Sequence, residues 1–126
     1  MMDVAIGLFL IAHGLIHVAI YATPPPQDGS APFDPSHSWA LAGAHVAESS
    51  RRSLSVLVAW VSGIVLAVAG VALLAGSAVW IPIAVVGAAS SLFLKVLFFN
   101  AWLSAGILID LGILWAVAAG WPPSLM

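Results

Sequence analysis

Four runs of apolar residues, 4–22, 54–75, 78–99 and 101–119, constrain this chain more than any other feature. Each has about the twenty residues needed to cross a hydrocarbon core of ~30 Å. Lipid offers the backbone no water, so every N–H and C=O must be satisfied within the segment, and such runs become helices. Composition agrees: 6% of residues are charged and 63% hydrophobic, whereas a soluble domain carries roughly a quarter charged residues to face water. The expected fold is all-α and integral to a membrane. Four transmembrane helices form an antiparallel bundle, one domain over 1–126, with a long Pro-rich loop and a short interfacial helix between the first and second spans. The first run is read as a retained span. Met1-Met2-Asp3 lacks the basic n-region of a signal peptide, and the segment continues through Tyr21.

The connections are unequal. Ala75-Gly76-Ser77-Ala78 and Phe99-Asn100-Ala101 are tight turns, which makes the last three spans an antiparallel meander. The loop 23–53 is polar and holds most of the prolines. Its first part, Thr23-Pro24-Pro25-Pro26-Gln27-Asp28-Gly29-Ser30, is expected to be extended. Its second part reads as helical: Asp34 can cap, Pro35 suits the first helical position, and 37–49 contains no breaker except Gly43.

The few positive charges give an orientation. Arg51 and Arg52 precede the second span, and Lys95 lies near the far end of the third. A four-pass path puts all three on the side of the long loop, so the positive-inside rule makes that side cytoplasmic and places both termini outside. Trp80 and Trp121 then fall at the opposite interface and Trp102 at the loop side, as an aromatic belt requires. The Ala-, Val- and Gly-rich composition suits a bacterial cytoplasmic membrane. A net charge of -2 gives no electrostatic footprint for nucleic acid, and the absence of cysteine removes disulfides, thiolate metal sites and cysteine nucleophiles.

Polar residues inside the spans carry the functional information. An ionised residue at the bilayer centre costs about 2.5–3.5 kcal/mol on insertion scales, so His13, His17, Lys95 and Asp110 each need a partner or a wet cavity. Counted from the loop side, all four lie between that interface and the midplane, with Ser90, Ser91, Asn100 and Ser104 as milder company. Lys95 either pairs with Asp110, across about 8 Å of axial offset at 1.5 Å per residue, or snorkels to the interface. His13 and His17 share a helix face at i,i+4, and Tyr21 extends that stripe by a turn.

Two imidazoles at this spacing can hold a metal but do not complete a site. Asp110, or His37, His45 and Glu48 from the loop, are the candidates to complete it. On a continuous short helix His37, Leu41, His45 and Glu48 would share one face. The bland alternative makes the histidines hydrogen-bond partners between helices. Haem ranks lower still, because the last three spans contain no histidine and two spans of one chain cannot supply a bis-histidine pair. His with Asp or Glu can also move protons on a lipophilic substrate.

Small residues mark packing seams. Gly7 and Gly14 lie on the first span, Gly63 and Ala67 on the second, Gly87 and Ser91 on the third, and Gly106 one turn before Asp110 on the fourth. Leu8, Ile11, Val65, Leu66, Phe93 and Leu97 remain to face lipid or a partner protein. In length, helix count and glycine-bearing helices, and in Trp102-Leu103-Ser104-Ala105-Gly106-Ile107-Leu108-Ile109-Asp110 and Trp121-Pro122, the chain resembles the DoxX-like group of small bacterial four-helix membrane proteins. That resemblance implies a membrane component of redox or quinone-linked systems and transfers no functional residue.

Three readings follow. The first is an accessory or assembly subunit of a larger membrane complex, or a homo-oligomer, surrounded by membrane lipids. The second is a module binding a lipophilic ligand such as a quinone, isoprenoid or lipid through His13, His17 and Asp110. The third is a compact membrane enzyme using the same groups directly or through a metal. The accessory reading ranks first here, since no catalytic constellation is complete.

Overall fold

A computed structural model describes residues 1–24, 26–31 and 33–126, and the chain is helical almost throughout. The helices are α1 (Met2–Ala22), α2 (Trp39–Gly43), α3 (Glu48–Leu74), α4 (Trp80–Leu97) and α5 (Ser104–Ala118), with short 3-10 turns at Ala101–Leu103 and Pro123–Leu125. Four stretches are long and apolar enough to span a membrane: Met2–Ala22, Glu48–Leu74, Trp80–Leu97 and Ala101–Ala118.

Backbone packing runs α1 on α3, α3 on α4 and α4 on α5. Glycine sets the tightest of these seams. Gly7 meets Gly70 and Gly14 meets Gly63, so residue numbers rise along α1 as they fall along α3. A Cβ built on Gly63 would lie 2.6 Å from the Gly14 carbonyl, and only hydrogen fits there. Gly63 and Gly70 repeat the seven-residue spacing of Gly7 and Gly14, and Ala67 joins the same seam, its backbone N 3.3 Å from a Cβ built on Gly14. Leu66, expected on an outward face, is fully buried. It fills the gap against Gly87, whose Cβ would lie 2.8 Å from its Cγ. Leu8 and Phe93 do face outward. Between α3 and α4, Ser62 donates to Ser90 Oγ and Ser90 donates to the Gly87 carbonyl.

The helix boundaries differ from the expected ones at three places. The expected helix over 37–49 is broken: α2 begins after Ser38, whose Oγ accepts the Leu41 N–H, and is over by Gly43. Asp34 does not cap it, because its carboxylate accepts the N–H and Oγ–H of Ser36 instead. α2 closes with His45 N–H on the Ala42 carbonyl and Val46 N–H on the Leu41 carbonyl, the Schellman pairing, with His45 left-handed at φ 58. Second, the chain returns to helix at Glu48, ahead of the apolar run, so Arg51 and Arg52 lie inside the first turns of α3 rather than before it. Glu48 suits that position, where a carboxylate faces the positive end of the helix dipole. Third, α4 starts at Trp80, with Pro82 in the first turn, where its missing N–H has no helical partner to lose.

The 23–53 segment folds back over one end of the helices. Thr23 leaves α1 extended, at φ -71 and ψ 126. Of the stretch 23–30 expected to be extended, Pro25 lies outside the described residues, and the chain instead turns at its end, with Gly29 N–H on the Pro26 carbonyl and Gly29 left-handed at φ 69. Ser38 Oγ donates to the Leu97 carbonyl and Trp39 Nε1 to the Val96 carbonyl, each at 2.7 Å. These two side chains satisfy acceptors that the C-terminus of α4 leaves orphaned. Phe33 packs edge-on against Tyr21, with ring centroids 4.9 Å apart. The core then divides in two. Tyr21, Phe33, Ala59, Leu94, Phe98 and Leu103 cluster at the loop end, and Leu10, Leu66, Ala69, Leu73, Trp80 and Ala84 cluster toward the termini.

Candidate functional site

The polar side chains of the spans converge in one buried cluster. α1 supplies His13 and His17, α4 supplies Ser91 and Lys95, and α5 supplies Asp110, all at most 5% exposed. Helical spacing does the local work: His13 and His17, and Ser91 and Lys95, are each one turn apart and so share a face. Gly106, one turn before Asp110, admits the lysine stem. A Cβ on Gly106 would lie 2.6 Å from Lys95 Cε.

Every strong donor in the cluster has an acceptor. Lys95 Nζ has three N–H groups and sits 2.5 Å from His17 Nε2, 2.7 Å from Ser91 Oγ and 2.6 Å from Asp110 Oδ2. His17 Nδ1–H donates to the His13 carbonyl at 2.7 Å, which fixes Nε2 as the acceptor that faces Lys95. His13 Nε2–H donates to Asp110 Oδ1 at 2.8 Å, and Ser91 Oγ–H to Asp110 Oδ2 at 2.6 Å. Ser91 Oγ also lies against His17 Nε2. Lysine and aspartate thus form a matched ion pair, and Lys95 does not snorkel.

The donor set can be tested for a metal. One ligand atom each from His13, His17 and Asp110 lies within 4.8 Å of the others. However, the cation position among them is taken by the Lys95 ammonium, which contacts His17 and Asp110 at bonding distance. A metal would have to displace that ammonium and leave it buried without a counter-charge. The residues fit a self-contained ion pair better than a metal pair built on His13 and His17. The same contacts link His13, Asp110, Lys95 and His17 in one continuous hydrogen-bonded network.

The loop residues do not join the cluster. His37, His45 and Glu48 are exposed, and Glu48 receives a 3.5 Å contact from Ser36 Oγ. The break in helix between Gly43 and Glu48 removes the shared face that would have aligned them. Ser90 and Ser104 bond locally, to the Gly87 and Ala101 carbonyls, and the Asn100 side chain accepts the Trp102 N–H.

Beside the cluster the wall of the protein is incomplete. α1 and α5 meet through side chains, and a crevice of about 210 Å³ opens between them. His13, Ile16, His17 and Ile20 line it from α1, Lys95 from α4, and Leu103 and Ile109 from the fourth span, with Tyr21 and Trp102 toward the loop end. A second crevice of about 360 Å³ continues the seam toward the termini and shares Ile109. Ser91, expected as milder polar company and as a small seam residue with Gly87, is a full member of the cluster through Asp110 and Lys95. Nothing in the sequence marked Leu103, Trp102 and Ile109 as lining residues, because their role depends on which seam stays open. Comparison with family models, with curated proteins and with solved structures finds no match for this chain, so its function is argued from geometry alone.

Proposed function

We propose that the protein is an intramembrane binding module for a lipophilic small molecule, admitted sideways from the bilayer between α1 and α5. The observation that carries this reading is the crevice itself: three members of the buried polar cluster line it among isoleucine and leucine side chains. A site of apolar lining with a few placed polar groups is the usual form of a small-molecule pocket. In this reading the four helices stand as an antiparallel bundle across a bacterial cytoplasmic membrane, with the 23–53 loop in the cytoplasm and both termini outside. The cluster then lies within the hydrocarbon, where its internal pairing is required.

The accessory-subunit reading keeps one observation in its favour. Only 11% of the α5 span is buried, against 33–39% for the other three, so α5 offers the largest free face to a partner subunit.

Native mass spectrometry of the untagged protein, extracted gently from its own membranes, separates the two. The binding reading expects a lipophilic adduct of fixed mass on the wild type. It should be absent from Ala105→Phe, a substitution at an exposed position of the crevice rim that fills the crevice without disturbing the core. Fixed-stoichiometry co-purification with larger subunits and no adduct would replace this reading with the accessory one.

A further inference from the structure

Tyr21 is 1% exposed, lines the crevice beside His17 and Lys95, and its hydroxyl has no hydrogen-bond partner among the described residues. A buried hydroxyl left unpaired is costly, and native structures leave few such groups without a reason. Among the described residues it is the one buried side-chain donor lining the crevice with nothing to donate to. The three N–H groups of Lys95 are taken by His17, Ser91 and Asp110, His13 Nε2–H by Asp110 and His17 Nδ1–H by the His13 carbonyl.

Resting on the binding reading above, we propose that the ligand carries a neutral head with one acceptor oxygen, a carbonyl, that receives the Tyr21 hydroxyl proton in a hydrogen bond. Charge decides against an anionic head. The lysine charge is already matched by Asp110 at 2.6 Å, so a phosphate or carboxylate would lose its hydration and find no free cation. Size places the rest of the molecule. Sites for whole drug-sized ligands run about 300–1,000 Å³, and the 210 Å³ crevice is smaller than that, so it takes the head alone. The tail passes Ile109 into the 360 Å³ crevice lined by Phe9, Leu10, Ile113 and Val117, toward Trp121.

The test uses the full chain in nanodiscs of diether phosphatidylcholine, which has no ester carbonyls, with 2-tridecanone carrying carbon-13 at its carbonyl as the probe. Isotope-edited infrared spectra should show a bound C=O stretch moved to lower frequency. In Tyr21→Phe that shifted band should vanish and affinity fall by roughly three- to tenfold, the worth of one neutral hydrogen bond. Tridecane should bind wild type and Tyr21→Phe equally, and dodecyl phosphate should compete poorly. Tyr21→Phe should melt no lower than wild type, since it removes an unpaired hydroxyl.

An unshifted band in the wild type would overturn the assignment, as would unchanged ketone affinity in Tyr21→Phe or tighter binding of dodecyl phosphate. A marked loss of stability in Tyr21→Phe would do the same, by showing that the hydroxyl has a structural partner. These failures leave the binding reading standing if Ala105→Phe still blocks the ketone. Failure of both ketone and tridecane to bind the wild type above the level of Ala105→Phe removes the binding reading itself.

Discussion

Removing the Lys95 ammonium would leave the Asp110 carboxylate buried against His13 and Ser91 with no matching charge. Breaking one side of a buried pair costs about 3–5 kcal/mol, whereas replacing both sides with apolar groups is often close to neutral. Lys95→Met should therefore lower stability in detergent by about that amount, and adding Asp110→Leu should recover most of it. Circular dichroism during SDS or thermal unfolding measures both. A double variant no better than the single would show that His13 and Ser91 hold the carboxylate without the lysine. Gly106 belongs to the same argument. Its missing Cβ leaves the space that the lysine stem occupies, and the three contacts on Nζ prevent that stem from swinging away.

Among the elements, α1 and α3 meet through close backbone contact at their glycines. Gly14→Ala would push a methyl group into the Gly63 carbonyl, and overpacking of this kind costs about 1–3 kcal/mol. Gly112→Ala meets nothing within 4 Å and gains up to about 1 kcal/mol of helix propensity, so unfolding of the two variants should move in opposite directions. Asp110 is the only buried residue of α5, and Ile113 packs from the same helix against the apolar cluster toward the termini. At the end of α2, His45 holds the position that Gly76 and Gly120 hold in the matching turns after α3 and α5, with φ 58 against 69 and 60. The left-handed conformation costs a side-chain-bearing residue roughly 1–2 kcal/mol, part of which glycine returns through its freer unfolded chain. His45→Gly should raise stability by roughly 0.5–1 kcal/mol, read from the same unfolding curves.

The spans, the turn at Gly76 and the gathering of His13, His17, Lys95 and Asp110 were legible because each rests on a local pattern and on the cost of polarity in lipid. The break at His45 was not, because histidine carries no propensity signal for a left-handed turn. Nor was the place of Gly70 opposite Gly7, because it depends on the vertical register of two helices. The open α1/α5 seam is likewise a property of tertiary packing. Periodicity shows which residues share a face, and not which face goes unpaired.

For the molecule as a whole, the two apolar clusters are separated by a polar layer. The 23–53 loop closes one end by capping the last carbonyls of α4. This arrangement changes the argument for orientation. Lys95 lies in the ion pair with Asp110, so it no longer counts as an interfacial positive charge. Arg51 and Arg52, in the first turns of α3, are then the only side-chain positive charges left to set the topology, and both stand at the loop end. The chain has no cysteine, so a single introduced thiol reports its own side of the membrane without background. In intact cells a membrane-impermeant maleimide should label Ser124→Cys, near the C-terminus. Gln27→Cys, in the loop, should be labelled only after lysis. Labelling of Gln27→Cys alone in intact cells would reverse the orientation and place the capped end of α4 outside. Adding Arg51→Gln and Arg52→Gln to the Ser124→Cys chain should make its labelling incomplete, because the proposed orientation rests on those positive charges to hold the loop end in the cytoplasm.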